Sequence, residues 1–390
     1  MKLYNHQRDF VTTNPRKAIL AWSMRVGKSY AIIGWLKNRP NVSFLLVCPK
    51  RIKEQWKKHL TETDTSNADI LTKEEIKKKD ISNYGGLVVD EVHHAASGLF
   101  SPHKTSEVTR TLYEWVRAHP DAPVLLATAT PICSMPANLH TLAALTGTYW
   151  DPKKFRLRFY ELITRPYAPR PFWSPKKNWR KEIAPLAQKV CYVKRLSDIT
   201  EPPAEYHIPV SVSLSAKTKT TVKEYADENP AAEWYGKHKL AQGMEKLAKI
   251  RELAADEPKV IVVAKYLDQI AQYEQELSKD REVVVLSGQT KDQPAAITRA
   301  QEMTEGYFLI QADCGEGFSG DDFSILIFAS ESWRYVSHEQ MLGRIRHLQK
   351  KRANYYYYLL ADEKDRKIRQ RIEAGKDFSL AGITKETTNT

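Results

Sequence analysis

The sequence predicts an α/β protein of two lobes, each a parallel sheet covered by helices, with a basic, aromatic-rich connector between them. Three observations predict it. Short apolar runs alternate with helix-like patterns over residues 1–151, the alternation stops in a proline-rich basic stretch, and it resumes over residues 240–390. The 390 residues suffice for two ordinary domains, and no repeat at a solenoid period is present. Residues 152–239 are then the insertion and inter-lobe connector.

In the first lobe, Ala18 to Trp22 is a short apolar run followed by a turn, and Tyr30 to Leu36 reads as the start of a helix. Phe44 to Cys48 is a strand ending at Pro49, and Ile52 to Leu60 an amphipathic helix. Leu87 to Val89 and Val124 to Ala127 are buried strands, each followed by polar residues. In the second lobe, strands are expected at Val260 to Ala264, Val283 to Leu286, Phe308 to Gln311, Ile325 to Ala329 and Tyr355 to Leu360, with helical spacers. The four consecutive tyrosines from Tyr355 to Tyr358 are expected to pack both faces of the sheet.

Apolar residues make up 42% and charged residues 27%, which excludes a disordered chain. The apolar runs fall far short of the roughly 20 residues of a membrane helix, and MKLYNHQRDF lacks the apolar stretch of a secretory signal. Cys48, Cys133, Cys191 and Cys314 are scattered, with no CxxC pair, which argues against a zinc site or a disulfide scaffold. A cytoplasmic protein, of a bacterial cell or a virus-infected host cell, is expected. Lys and Arg number 60 against 47 acids, a formal charge of +13. Such an excess fits either a polyanionic partner or a solvated basic surface. It is concentrated: from Pro152 to Lys181 there are ten basic residues and one acid, Glu161.

Gly27-Lys28-Ser29 follows a buried strand and opens a helix. In a phosphate loop the helix N-terminus and backbone N–H groups hold phosphates, the lysine reaches them, and the hydroxyl ligates Mg²⁺. The full pattern is absent, because Trp22 stands at the first glycine position. Asp90-Glu91 ends the strand Leu87-Val88-Val89. One carboxylate there can hold Mg²⁺ and a second can orient a water; a pair of acids on a surface turn is the plainer reading.

Together these motifs resemble superfamily 2 helicases and translocases, most closely the Swi/Snf-like branch and its small viral or bacterial forms. Asp90-Glu91-Val92-His93 is similar to the DExH box, and Met24-Arg25-Val26-Gly27-Lys28-Ser29 to the branch's M-G-L-G-K-T loop. Val47-Cys48-Pro49 through Gln55-Trp56 resembles the element after the second strand, with Lys50 beside it. Ala127-Thr128-Ala129-Thr130-Pro131 resembles the coupling motif, and Gly315-Glu316-Gly317 the glycine motif of the second lobe. Gln340-Met341-Leu342-Gly343-Arg344 resembles the final arginine motif, and Lys194-Arg195 with Pro202-Pro203 the bridge between lobes. The motifs run in family order from residue 3 to about residue 350.

The resemblance implies two tandem RecA-like lobes with ATP and Mg²⁺ in the cleft between them. Gln7 would read adenine. Arg25, Gly27, Lys28 and Ser29 would line the phosphates, with Ser29 and Asp90 on the metal and Gly317 near the nucleotide. Glu91 would act on the attacking water, and Gln340, Arg344 and Arg346 would enter from the second lobe. An arginine so placed contributes about 10³–10⁵ in rate. Thr128 and Thr130 would couple the lobes and touch the nucleic-acid backbone, as would Lys50. Asp321, or Asp322 in its stead, would belong to the second-lobe loop.

Two departures stand out. Arg25 occupies a position where the family has glycine, and either crowds the turn or adds a positive contact. The pattern Q-x-x-G-R-x-x-R calls for arginine at 347, where this chain has His347, with Arg346 one place earlier. On a helix that shift turns the side chain by about 100°.

In the connector, cations that include Lys153, Lys154, Arg156, Arg158, Lys176 and Lys177 are interleaved with Phe155, Phe159, Tyr160, Phe172, Trp173 and Trp179. Cations bind phosphate without sequence preference, and aromatics stack on exposed bases. Most of these aromatics are expected to pack the insertion onto the first lobe, with Trp173 among the nucleic-acid contacts. The expected function is ATP-dependent translocation on duplex or branched DNA, by a motor with no evident nuclease, zinc or chromatin-reading module. An RNA helicase, or an ATP-regulated nucleic-acid-binding protein that has lost turnover, are the alternatives.

Overall fold

The computed structural model describes residues 2–94, 106–132, 135–148, 150–164, 170–228, 242–315, 317–346, 350 and 352–376. The chain falls into two compact units, one running to Thr200 and the other Glu201–Ala374. Both are α/β with a six-stranded, wholly parallel sheet.

The first unit contains α1 (Asn5–Thr13), β1 (Lys17–Trp22), α2 (Lys28–Lys37), β2 (Phe44–Cys48), α3 (Lys53–Glu62), β3 (Ala68–Thr72) and β4 (Gly86–Val89). There follow α4 (Glu107–Ala118), β5 (Val124–Thr128), α5 (Pro136–Leu145), α6 (Pro152–Phe159), β6 (Tyr160–Ile163), β7 (Phe172–Pro175), α7 (Trp179–Val190) and β8 (Cys191–Lys194). The sheet order is β3-β2-β4-β5-β1-β8, with β6 and β7 forming a separate antiparallel pair. Strand periodicity divides the core in two. Ile19, Ala21, Leu45, Val47, Leu87, Val89, Val124 and Leu126 pack with Leu112 and Trp115 of α4 and Leu142 of α5. On the other face Trp35 of α2 lies 5.3 Å from Phe44, and Phe10 of α1 lies 5.9 Å from Trp22. Side-chain caps start two helices: Ser106 Oγ accepts from Thr109 N at 3.2 Å, and Asp151 Oδ1 from Lys154 N at 2.7 Å.

The second unit contains β9 (Glu205–Ser211), α8 (Ala216–Glu228), α9 (Gly243–Leu253), β10 (Lys259–Ala264), α10 (Leu267–Leu277), β11 (Val283–Leu286) and α11 (Gln293–Glu302). It continues with β12 (Gly306–Gln311), β13 (Ile325–Phe328), α12 (Tyr335–Ile345), β14 (Asn354–Leu360) and α13 (Glu363–Lys376). The order is β11-β12-β10-β13-β14-β9. Every residue of β10 is buried, because its side chains enter two separate cores. Tyr356 and Tyr358 are buried on one face of β14 and Tyr355 and Tyr357 pack against the core on the other, so the tyrosine run is core. Lys246 of α9 is fully buried, donating to Ala329 O at 2.7 Å and to Asp365 Oδ2 at 3.0 Å.

Three strands of the two six-stranded sheets went unread in the sequence, β3, β8 and β9, as did the separate β6–β7 pair. β3 and β8 are the edges of the first sheet and β9 one edge of the second. Edge strands are buried on fewer sides and carry polar residues such as Asp69, Lys194 and His207, so they lack an apolar run. β9 even contains Pro209, which an edge tolerates. The connector expected over 152–239 is correspondingly not a body of its own. Residues 152–200 belong with the first unit and supply β8, and β9 and α8 belong to the second. Ten residues, 195–204, separate β8 from β9. Among the described residues no helix is long and apolar enough to cross a membrane.

Candidate nucleotide site and nucleic-acid surface

In the first unit the expected site residues follow the carboxyl ends of β1, β4 and β5, where parallel α/β sheets bind ligands. The turn after β1 is left-handed at two positions, Arg25 (φ 64°) and Gly27 (φ 79°). Arg25 therefore holds the backbone conformation that glycine adopts most easily, at a cost of roughly 1–2 kcal/mol. Gly27 is the N-cap of α2, so Lys28 and Ser29 are its first two residues, where backbone N–H groups lack helical acceptors. Lys28 Nζ folds back on the loop, donating to Trp22 O at 3.0 Å and Ser23 O at 3.3 Å.

Two neighbours on α1 brace this turn. His6 Nε2 donates to Val26 O at 2.9 Å, and Gln7 Nε2 donates to Gly27 O at 3.0 Å. Gln7 Oε1 accepts from Tyr4 N at 2.8 Å. Gln7 is buried and both ends of its amide are engaged inside the protein. It braces the loop, and the adenine-reading role remains what the resemblance implies.

Asp90 is buried at the end of β4. Its Oδ2 accepts from Trp56 Nε1 at 2.9 Å and its Oδ1 from Glu91 N at 2.9 Å. Burial, with the Glu91 charge added, pushes its carboxyl up to about 6 against the opposing pull of Lys28. Glu91 is itself left-handed (φ 46°), and its Oε2 is buried 3.3 Å from His93 Nδ1. His93 Nδ1 also hydrogen-bonds with Thr128 Oγ1 at 3.1 Å, which accepts from Thr130 N at 3.0 Å. His93 thus lies between the Glu91 carboxylate and the end of β5. Thr128 is fully buried and Thr130 nearly so.

Among the described residues no group of three or more His, Cys, Asp or Glu is arranged to hold a metal ion. Mg²⁺ at an NTP site takes most ligands from water and phosphate and needs only one or two protein oxygens. The chemistry here fits that need: Asp90 is a buried hard-oxygen donor whose ionised form a cation would favour, and Ser29 adds a hydroxyl at a helix start.

In the second unit Gln340 is buried on α12, and Arg344 Nη1 donates to Phe318 O at 3.0 Å. Gly317 is left-handed (φ 84°), and a Cβ on Gly315 would lie 2.5 Å from Met341 Cε, so the glycine loop packs against α12 through the space glycine leaves. Glu316 and His347 lie outside the described residues. α12 ends at Ile345 and Arg346 is extended, so helical phase does not relate it to Arg344. Arg346 grips Glu205 through Nε and Nη2 (2.6 and 3.0 Å) and Glu339 through Nη1 (2.7 Å). With its guanidinium committed to two carboxylates, Arg346 ties β9 to α12. These contacts give Arg346 a structural role beside the catalytic one the resemblance implies, and Arg344 is the other arginine candidate.

Of the basic segment's aromatics, Phe155, Phe159, Tyr160 and Trp179 are buried in the first unit's core, and Phe172 and Trp173 are exposed. Lys153, Lys154, Arg158 and Lys177 are exposed, as is Lys50 after β2. Arg156 lies 5.7 Å over the Trp173 ring, and Lys176 Nζ donates to Leu157 O at 2.8 Å. Cys133 lies outside the described residues. Sequence reasoning missed Trp56 as the partner of Asp90, although the Gln55-Trp56 element marked it, and His6 as a second brace, for which no sequence signal exists.

The chain matches no protein-family model and no curated protein.

Proposed function

We propose that the protein is an ATP-dependent nucleic-acid motor. Within that class, the reading best supported is a DNA translocase that hydrolyses ATP to move on duplex or branched DNA. The observation that carries it is the grouping of Lys28, Asp90 and Glu91 after β1 and β4, the two parallel strands that flank β5, with His93 beside Glu91 and bonded to Thr128 at the end of β5, in a chain whose motifs follow helicase order. The choice of DNA over RNA rests on the resemblance to the Swi/Snf-like branch.

In this reading the start of α2 and Lys28 bind the phosphates, and Asp90, oriented by Trp56, and Ser29 hold Mg²⁺. Bound Mg²⁺ neutralises charge that develops on the transferring phosphoryl group. Glu91 orients the attacking water and accepts its proton, with His93 beside it. His93 relays the state of this carboxylate to Thr128. Arg344 is the arginine that the resemblance implies for charge stabilisation, and the basic segment follows the DNA backbone.

The test is steady-state ATPase with no polymer, duplex DNA, single-stranded DNA, a branched junction and RNA, each beside Glu91→Gln. Stimulation by duplex or branched DNA supports the translocase. Stimulation by RNA alone moves the protein to the RNA helicases, and ATP binding without turnover makes it a regulated binder.

A further inference from the structure

We propose that the β6–β7 hairpin is a stacking platform for unpaired DNA bases, such as those at a fork or a single-stranded tail. The proposal rests on the nucleic-acid reading above and adds to it a site for a single-stranded element.

The root of the hairpin is fixed. Tyr160 is buried and its hydroxyl accepts from Ala137 N at 3.1 Å, while Lys176 N donates to Phe159 O at 2.9 Å. Beyond the root the pairing places Leu162 opposite Trp173 and Ile163 opposite Phe172. Directly opposite residues in an antiparallel pair share one face, so Leu162 and Trp173 form one apolar plate. That plate is open: Leu162 is 56% and Trp173 40% exposed, with Phe172 36% exposed on the reverse face. Apolar side chains brought together on an anchored hairpin and left uncovered mark a contact surface.

The surroundings select the partner. Arg156 lies 5.7 Å over the Trp173 ring, Lys153, Lys154 and Lys177 are exposed on the segments that lead into and out of the hairpin, and Arg170 is exposed just before β7. Protein interfaces are depleted of charge at their cores and of Lys overall. A flat aromatic flanked by cations matches a polyanion with π-faces, where aromatics stack on bases and cations follow phosphates. Duplex DNA hides its base faces in the helical stack, so the plate has a partner only where bases are unpaired.

The test uses the full-length chain with two fluorescein-labelled DNAs of the same sequence, a blunt duplex and a fork with single-stranded tails. Trp173→Ala should weaken fork binding by about 5- to 150-fold, the loss of one stacked base, and weaken duplex binding far less. Trp173→Phe, which keeps a ring, should retain most of the fork affinity, and 2-aminopurine in the tail should be quenched by the parent and not by Trp173→Ala. Leu162→Thr is a second variant should Trp173→Ala fold poorly by circular dichroism. Unchanged fork affinity in both variants overturns the proposal, as does equal loss on fork and duplex. So does a changed oligomeric state in sedimentation with fork affinity intact, which would make the plate a contact between copies of the chain. Trp173-dependent fork binding without any DNA-stimulated ATPase would support the platform while overturning the motor.

Discussion

Gln7 and Gly27 hold one another in place. The Gln7 amide donates to the Gly27 carbonyl at 3.0 Å, and a Cβ added to Gly27 would lie 2.3 Å from the same nitrogen. The turn that precedes Lys28 is thus set by a side chain twenty residues upstream as well as by its own glycine.

Gly27→Ala meets both that contact and a left-handed backbone, and should cost roughly 1–2 kcal/mol of stability together with most nucleotide affinity. Gln7→Ala should weaken ATP and GTP to a similar extent, because a brace acts on the phosphate loop. A selective loss of ATP, measured by competition with a fluorescent nucleotide, would support the base-reading role.

Lys28→Ala and Glu91→Gln should each reduce ATPase by at least about 10²-fold and leave DNA affinity within a few fold. Substantial turnover in either variant removes the site assignment. Filter binding beside a coupled ATPase assay reads both.

Arg344 and Arg346 should separate in kind. Arg346→Ala leaves Glu205 and Glu339 without this cation, and losing its charge-assisted hydrogen bonds at a half-buried site costs about 1–3 kcal/mol, visible in urea unfolding. Arg344→Ala should lower kcat with a smaller change in stability. The reverse pattern would show that Arg346 is the catalytic arginine.

The Glu205 site gives the fold an acid limit. Burial opposes ionisation of this carboxyl, but hydrogen bonding with His207 and the charge and hydrogen bonds of Arg346 bring it down to about 2 from an ordinary 4.5. Its folded value lies below its unfolded one, so its contribution is full above about pH 4.5 and is lost as pH falls toward 2. The contribution is on the order of 3 kcal/mol. Urea unfolding between about pH 6 and pH 3 should show the loss, and Glu205→Gln should flatten that part of the curve.

DNA affinity should fall by roughly 10³–10⁵ between 50 and 200 mM salt if six to ten phosphates are engaged. A nearly flat response in a fluorescence-anisotropy titration would remove the basic track.

Most of the fold was legible because β2 and β10 are buried on both faces and read as unbroken apolar runs, whereas β3 and β9 are edges whose polar residues hide them. Lys28, Asp90 and Glu91 were legible from their position after such runs. The role of Gln7 was not, because a buried amide looks the same in sequence whether it faces a ligand or a loop. Arg346 was judged by helical phase, which fails once α12 stops at Ile345. Arg25 answers a question the sequence left open: the turn keeps the left-handed geometry suited to glycine, and arginine adopts it. The Leu162–Trp173 plate depends on strand register, which spacing across a long loop does not fix.

The ten residues between β8 and β9 have a consequence for dilution. Fully extended they span at most roughly 36 Å, and a tether that short sustains a local concentration in the millimolar range. Whatever each unit offers the other is offered at that concentration, independent of how little protein is in solution. Specific activity should therefore hold constant down to nanomolar protein, whereas two separately produced halves mixed at micromolar concentration would meet a thousandfold less often.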